Sequence, residues 1–242
     1  MRTIKHILYR IRDPRLVVSH AFRKIVEVYD LVSPSEFSTL YRRIRDITHC
    51  SNARLRGLHR AVKYVVGEDI PGDIVECGTA LGESAALMGL TLKQLGGSER
   101  KLWVFDTFEG LPAPTTDDPD FEMAKLFTGY HRGSIEDVGA SFKRLKIDGQ
   151  TELVKGLFQE TLPDTKIEKI AVLHLDGDWY ESVKSCLENL YDKVAEGGVI
   201  QIDDYGFWKG AGKAVDEFFV RRSITPKLKR LDYSGRQFIK PT

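Results

Sequence analysis

Ile170-Ala171-Val172-Leu173-His174-Leu175 runs directly into Asp176-Gly177-Asp178, and Gly198-Val199-Ile200-Gln201-Ile202 runs directly into Asp203-Asp204. Both runs are too short for ordinary helices and are rich in β-branched residues, so they read as buried parallel strands of an open α/β sheet. Such sheets hold their ligands beyond the carboxyl ends of the strands, which is where these acids fall. Carboxylates beside a low-dielectric core are costly unless something pairs them, and an all-oxygen donor set suits a hard divalent cation. A single Asp at a strand end is explained as a cap for the helix behind it. A doublet and a near-doublet at two strand ends favour a metal.

Working outward, Pro71-Gly72 marks a change of pattern. Beyond it, strands are predicted at 73–77, 101–105, 152–155, 170–175 and 199–202, with helices at 83–95, 134–145, 181–194 and 213–222 between or after them. The alternation predicts a doubly wound, mostly parallel α/β sheet covered on both faces. Two last strands, 228–231 and 237–239, flank the turn Asp232-Tyr233-Ser234-Gly235 and should pair antiparallel. The stretch 111–133, rich in Pro, Asp and Thr, is long for a connection and is expected to form a lid.

The chain has 242 residues, 42% of them hydrophobic, enough for one large α/β domain with an appendage. Its net charge of +1 makes no case for nucleic-acid binding, but the charge is unevenly placed: residues 1–60 hold 13 Lys and Arg against 5 Asp and Glu. Residues 1–66 read as a basic helical extension, with Ile4, Ile7, Leu8 and Ile11 on one face and Leu55, Leu58, Ala61, Val62 and Val65 on another. Its expected roles are packing on the body at 67–242, homo-oligomer contact, or peripheral contact with an anionic membrane or partner. Cys50, Cys77 and Cys186 have no metal-ligand spacing, and no apolar run approaches a membrane span. A soluble, reduced, cytoplasmic protein is expected.

The first strand ends in Glu76-Cys77-Gly78-Thr79-Ala80-Leu81-Gly82-Glu83-Ser84, a glycine turn opening a helix. Gly78 and Gly82 let the backbone approach a nucleoside, but Ala80 stands where a dinucleotide fingerprint has its middle glycine, which makes pyrophosphate a poor fit. Asp106 ends the second strand, where an acid can accept from both ribose hydroxyls. Capping the turn at Thr107 is its simpler role. Together Glu76, Gly78 and Asp106 suit an adenosine ligand.

Three motifs in order, Asp106-Thr107-Phe108-Glu109-Gly110-Leu111-Pro112, Leu173-His174-Leu175-Asp176-Gly177-Asp178-Trp179-Tyr180-Glu181-Ser182 and Asp203-Asp204-Tyr205-Gly206, closely resemble those of the macrocin and mycinamicin O-methyltransferase family. The resemblance spans about Thr48 to Phe219 and implies a seven-stranded class I methyltransferase fold, Rossmann-like, using S-adenosylmethionine and Mg2+ to methylate sugar hydroxyls on glycosylated natural products. It implies that Asp176, Asp203 and Asp204 hold magnesium, with Asp178 a neighbour of the metal. It further implies that Glu76, Cys77, Gly78, Thr79, Ala80, Gly82, Ser84, Asp106, Thr107 and Phe108 meet the cofactor. Ser134 and Ile135 approach the adenosine, Phe158 and Gln159 border the adenine, and Thr48 with His49 covers the methionine end. Family members often carry Trp-Arg where this chain has Ala80-Leu81.

Methyl transfer from a sulfonium is an in-line displacement that needs an aligned and activated acceptor oxygen. Catechol O-methyltransferases resemble this chain in their metal carboxylates but place a lysine where Trp179 stands. Asp176 is the expected proton acceptor, with His174 and His131 as competitors. Trp179, Tyr180, Tyr205 and Trp208 offer aromatic faces that suit a pyranose. A phenolic acceptor, or hydrolysis by the same carboxylates, are the alternative chemistries. The hydrolase reading gives Glu76, the glycine turn and Asp106 no task.

Overall fold

The computed structural model describes residues 35–45, 50–97 and 99–241. The basic segment 1–34, with its predicted amphipathic face, and Thr48 with His49 lie outside the described residues.

Seven strands form one sheet: β1 (Asp73–Cys77), β2 (Leu102–Asp106), β3 (Thr151–Lys155), β4 (Ile170–Leu175), β5 (Val194–Ile202), β6 (Lys229–Arg230) and β7 (Arg236–Ile239). Their order is β3-β2-β1-β4-β5-β7-β6. β1 to β5 are parallel, while β7 pairs antiparallel with both β5 and β6. Every residue of β4 is buried, as a central parallel strand covered on both faces requires. The strand order reverses between β1 and β4, and the crevice outside their carboxyl ends is where such sheets bind ligands.

One face of the sheet is covered by α1 (Glu36–Tyr41), α2 (Asn52–Gly67), α3 (Glu83–Gln94) and α5 (Ile135–Leu145). Ile74, Val104, Val172 and Val199 meet them in a single apolar cluster. The other face carries α7 (Tyr180–Leu190) and α8 (Lys209–Arg221), packed on Val75, Phe105, Leu173, Ile200 and Ile202. Two short helices, α4 (Phe121–Ala124) and α6 (Phe158–Thr161), lie in the connections. α2 starts at the N-cap Ser51 and buries the predicted stripe Leu55, Leu58, Ala61, Val62 and Val65, so this part of the extension belongs to the core of the body.

Three predicted elements are corrected. The helix after β4 ends at Leu190 rather than Val194. Val194 instead opens β5, pairing with Ile170, and the strand passes Gly197 at φ +77 before its apolar run. α8 starts at Lys209, four positions before the predicted Lys213, because an acid from a distant loop caps it. The 111–133 segment is folded back on itself: Leu111 N–H donates to Tyr130 O (2.9 Å) and Gly129 N–H to Leu111 O (2.8 Å). No helix among the described residues is long and apolar enough to cross a membrane.

Candidate active site

At the crevice the loops after β1 and β4 touch. Gly78 sits at φ +90, and a Cβ there would fall 1.9 Å from Asp176 O, so only glycine permits this approach. Around the contact opens a cavity of about 520 Å3, within the usual range for small-ligand sites. Gly78, Ala80, Asp106, Thr107, Phe158 and Gln159 line its first part; Asp176, Asp178, Asp203 and Asp204 line the other.

At this end of the cavity Asp106 takes the capping role read from the sequence. Its Oδ2 accepts from the N–H groups of Thr79 (2.7 Å) and Ala80 (3.1 Å), and its Oδ1 from Phe108 N–H (2.7 Å), so it caps its own turn and ties down the β1 loop while facing the cavity. Burial pushes its carboxyl up, against the lowering effect of these amides. α3 begins behind Gly82, itself left-handed at φ 86, and no side chain caps that helix. An uncapped helix N-terminus beside a close-approach glycine and a strand-end acid fits a nucleoside.

Other predicted cofactor residues sit behind this wall. Cys77 points to the opposite face of the sheet and packs in the α7/α8 core, so the expectation that it meets the cofactor is not matched by its side chain. Ser84 is buried in α3, Phe108 is a buried core ring, and Ile135 packs against the α3/α5 cluster. Ser134 caps α5, accepting from Asp137 N–H (3.1 Å), while its neighbour Gly133 presses on Ala80 O.

The acid side is organised by strand register. Glu76, His174, Gln201 and Gln237 are successive partners across β1, β4, β5 and β7, a polar row whose first three members are fully buried. His174 Nδ1 hydrogen-bonds Glu76 Oε1 at 2.8 Å, and its Nε2 lies 3.6 Å from Asp203 Oδ1, an electrostatic contact rather than a hydrogen bond. Burial opposes charge on this imidazole, but Asp203 and Glu76 outweigh it and lift its pKa to about 9. His174 is fully buried, beneath the cavity and bridging two acids. Gln201 Nε2 donates to Arg54 O (3.2 Å), and Gly57 leaves room for that amide, since a Cβ would fall 2.6 Å from Gln201 Oε1.

Arg54 reaches from the first turn of α2 into the acids, pairing with Asp203 Oδ2 and, through Nε at 3.0 Å, with Asp232 of the β6–β7 turn. Burial would raise the Asp203 carboxyl, but Arg54 and His174 hold it below the usual carboxylate range. Its neighbours go the other way. Burial and then the Asp203 charge push Asp204 up to about 7, and burial with the Asp203 and Asp204 charges raises Asp176. Among the described residues, Asp204 Oδ2 is buried with no hydrogen-bond partner. One ligand atom each from Asp176, Asp178 and Asp204 lies within 4.8 Å of the others, as for His174, Asp176 and Asp203. Asp178 therefore stands inside the cluster, its Oδ1 accepting from Trp208 Nε1 at 2.8 Å. An oxygen-rich donor set with an orphaned buried carboxylate oxygen has the chemistry that a hard divalent cation takes.

Of the four aromatic residues read beside the acids, only Trp208 lines the cavity. Trp179 is buried and donates to Pro112 O (2.8 Å), while Tyr180 and Tyr205 give their hydroxyls to Glu217 and Asp216 outside it. The aromatic wall consists instead of Phe127, Tyr130, Phe207, Trp208 and Tyr233. Sequence reading missed this wall apart from Trp208, and it missed Arg54. The available signal for Arg54 was an arginine standing in line with the apolar stripe Leu58, Ala61 and Val65.

The family model described as Macrocin-O-methyltransferase (TylF) matches residues 44–240. The chain belongs to this family. This chain is an S-adenosylmethionine-dependent O-methyltransferase of class I fold. It is 35% identical over 190 residues to the demethyldecarbamoylnovobiocin O-methyltransferase of Streptomyces niveus, covering 75% of this chain and 71% of that one. It is 34% identical over 187 residues to the 8-demethyl-8-(2,3-dimethoxy-alpha-L-rhamnosyl)-tetracenomycin-C 4'-O-methyltransferase of Streptomyces olivaceus, with 75% and 71% covered. The solved structure of the O-methyltransferase NovP superposes with a TM-score of 0.73 at 33% identity, covering 79% of this chain and 81% of that chain. Membership sets aside the hydrolase alternative.

Proposed function

We propose that this enzyme methylates a sugar hydroxyl of a glycosylated natural product with the help of Mg2+ held by Asp176, Asp203 and Asp204. The observation that carries the reading is the orphaned Asp204 Oδ2 in a cavity shared with the nucleoside loops: beyond the charge that Arg54 pairs, a cluster of carboxylates sits beside the cofactor wall. The tetracenomycin relative is named for methylation on a rhamnosyl unit, which supports a sugar acceptor. Aromatic rings on the acid side suit the apolar face of a pyranose. Trp179 fills the place of a catechol-type lysine and is buried in its contact with Pro112, which argues against a phenolic acceptor.

When bound, S-adenosylmethionine supplies the methyl group and the cation supplies Lewis-acid polarisation of the acceptor hydroxyl. The chain's own residues do the rest. Asp106 and the glycine turn hold the nucleoside side, and Asp176, at the seam between the two loops, takes the acceptor's proton on a carboxylate oxygen. His174 acts through Glu76 and Asp203, fixing the height of the acid row above the sheet. Arg54 offsets one negative charge and orients Asp203. Phe127, Tyr130 and Trp208 exclude water. The basic N-terminal segment serves as an oligomer contact in this reading, which sedimentation velocity tests.

The test is methyl transfer from labelled cofactor over a panel of glycosides, nucleotide sugars and phenols, with and without chelator. Turnover of glycosides that stops in chelator and returns with Mg2+ is expected. Preference for phenols refutes the acceptor assignment, and full activity in excess chelator refutes the metal.

A further inference from the structure

The segment 111–133 is attached in an unusual way. α7 and α8 follow directly on the two acid turns, and each has a tryptophan at its N-cap, Trp179 and Trp208, that offers no side-chain cap. The missing caps come from 111–133. Asp118 Oδ1 accepts from Tyr180 N–H (2.8 Å) at the start of α7, and Asp118 Oδ2 accepts from Thr115 N–H (3.0 Å). Asp120 Oδ2 accepts from Lys209 N–H (3.2 Å) at the start of α8. Asp118 is only 2% exposed, and Gly210 of α8 makes room for it, since a Cβ there would fall 1.9 Å from Asp118 Oδ1.

Further ties reinforce the attachment. Both capless tryptophans turn towards this segment or the acids: Trp179 Nε1 donates to Pro112 O (2.8 Å), and Trp208 donates to Asp178 while packing edge-on against Phe127 with centroids 5.3 Å apart. Lys213 Nζ reaches Asp117 O at 3.2 Å. The inner side of the segment supplies Leu111, Phe127, Tyr130 and His131 to the cavity wall.

We propose that 111–133 is a fixed acceptor wall rather than a lid, and that Asp118 and Asp120 are positioning residues that set the two acid turns by capping the helices behind them. A cap aspartate is worth most where nothing else satisfies the opening amides, and here the helices supply nothing themselves. The same two bonds therefore fix the wall that contacts the acceptor and the turns that carry Asp176, Asp178, Asp203 and Asp204. The acceptor side of this inference rests on the cavity reading above; the capping geometry does not.

Hydrogen–deuterium exchange, calorimetry with S-adenosylhomocysteine and steady-state kinetics test it together. Asp118→Ala should speed exchange about tenfold in peptides covering 111–130 and also in those covering 178–182, the scale of one lost charge-assisted hydrogen bond. Affinity for S-adenosylhomocysteine should stay within about twofold, since Asp106 and the glycine turn after β1 lie outside the segment, and acceptor KM should rise about tenfold. Asp118→Asn retains an oxygen for Tyr180 N–H and should restore most of the protection at 178–182. Should Asp118→Ala fail to fold, Asp120→Ala gives the same readout at 207–212. Wild-type exchange in the acid turns, or a loss of S-adenosylhomocysteine binding equal to the loss of acceptor binding, overturns the proposal. If no glycoside is turned over by the wild type, the acceptor reading fails while the exchange data still decide the capping.

Discussion

Two Arg–Asp pairs in this protein differ mainly in burial, and they should differ in worth. The perturbation is Arg54→Met, which keeps an unbranched apolar stem and removes the charge. The side chains of Arg54 and Asp203 are 10% and 6% exposed, and removing one partner of a buried pair costs about 3–5 kcal/mol. The lower end applies here, because the abandoned acids keep other partners. Asp203 keeps His174 at 3.6 Å, while Asp232 keeps the Ser51 hydroxyl and the N–H groups of Ser234 (2.9 Å) and Gly235 (2.7 Å). A loss of about 3 kcal/mol corresponds to a Tm lower by roughly 6–12 °C for a chain of this size. The control is Asp192→Asn, which breaks the bidentate contact with Arg222 at 2.5 and 2.8 Å. There the side chains are 34% and 65% exposed, and the expected loss is below about 1 kcal/mol. Both variants are compared by urea denaturation and calorimetry in chelator, so that no cation replaces the guanidinium. A loss for Arg54→Met no larger than for the control would refute the placing of this arginine among the acids.

Gly78→Ala puts a Cβ on Asp176 O at a left-handed φ; the backbone strain alone is about 1–2 kcal/mol, and S-adenosylhomocysteine affinity measured by calorimetry should fall at least tenfold, so retained affinity would count against the touching loops. Asp204→Asn removes the carboxylate that holds the orphaned oxygen: Mg2+ titration should weaken, while stability in chelator should hold or rise because one like charge is gone, and unchanged Mg2+ affinity would exclude Asp204 from the cation site. His59, buried against Thr91 Oγ1 at 3.0 Å, has its pKa lowered, by burial first and then by Lys63. The unfolded chain then binds this proton more readily than the folded one, so the contribution of His59 is complete above about pH 6.5 and declines as pH falls below it. His59→Asn should flatten the stability profile between about pH 7 and 5 relative to wild type, and parallel profiles would contradict the assignment.

The strand-end acids were legible because they follow apolar runs whose length and β-branching identify buried strands without reference to anything distant. The glycine turn and Asp106 were legible for the same reason, and every predicted strand is present, the last two antiparallel as expected. The errors cluster where local pattern was ambiguous. Val194 suits a helix face as well as a strand, and only pairing with Ile170 decides it. Cys77 lies within the glycine turn in sequence but falls on the opposite face of the sheet, because side chains alternate along a strand. The start of α8 was placed late because its cap comes from another part of the chain.

Hydrophobic periodicity, turn residues and acids at strand ends determined by themselves that this chain is an open α/β sheet with a ligand edge, since each of those signals is carried by residues a few positions apart. Tertiary structure alone decided which charges meet. Arg54 and Asp203 are 149 positions apart, Glu76 and His174 are 98 apart, and Asp118 reaches the Tyr180 amide across 62. Such pairings depend on strand register and on where a helix or loop docks, and those follow from the packing of the whole chain rather than from any local stretch. The acids could therefore be located from sequence, but which of their oxygens the described residues satisfy and which they leave without a partner could not.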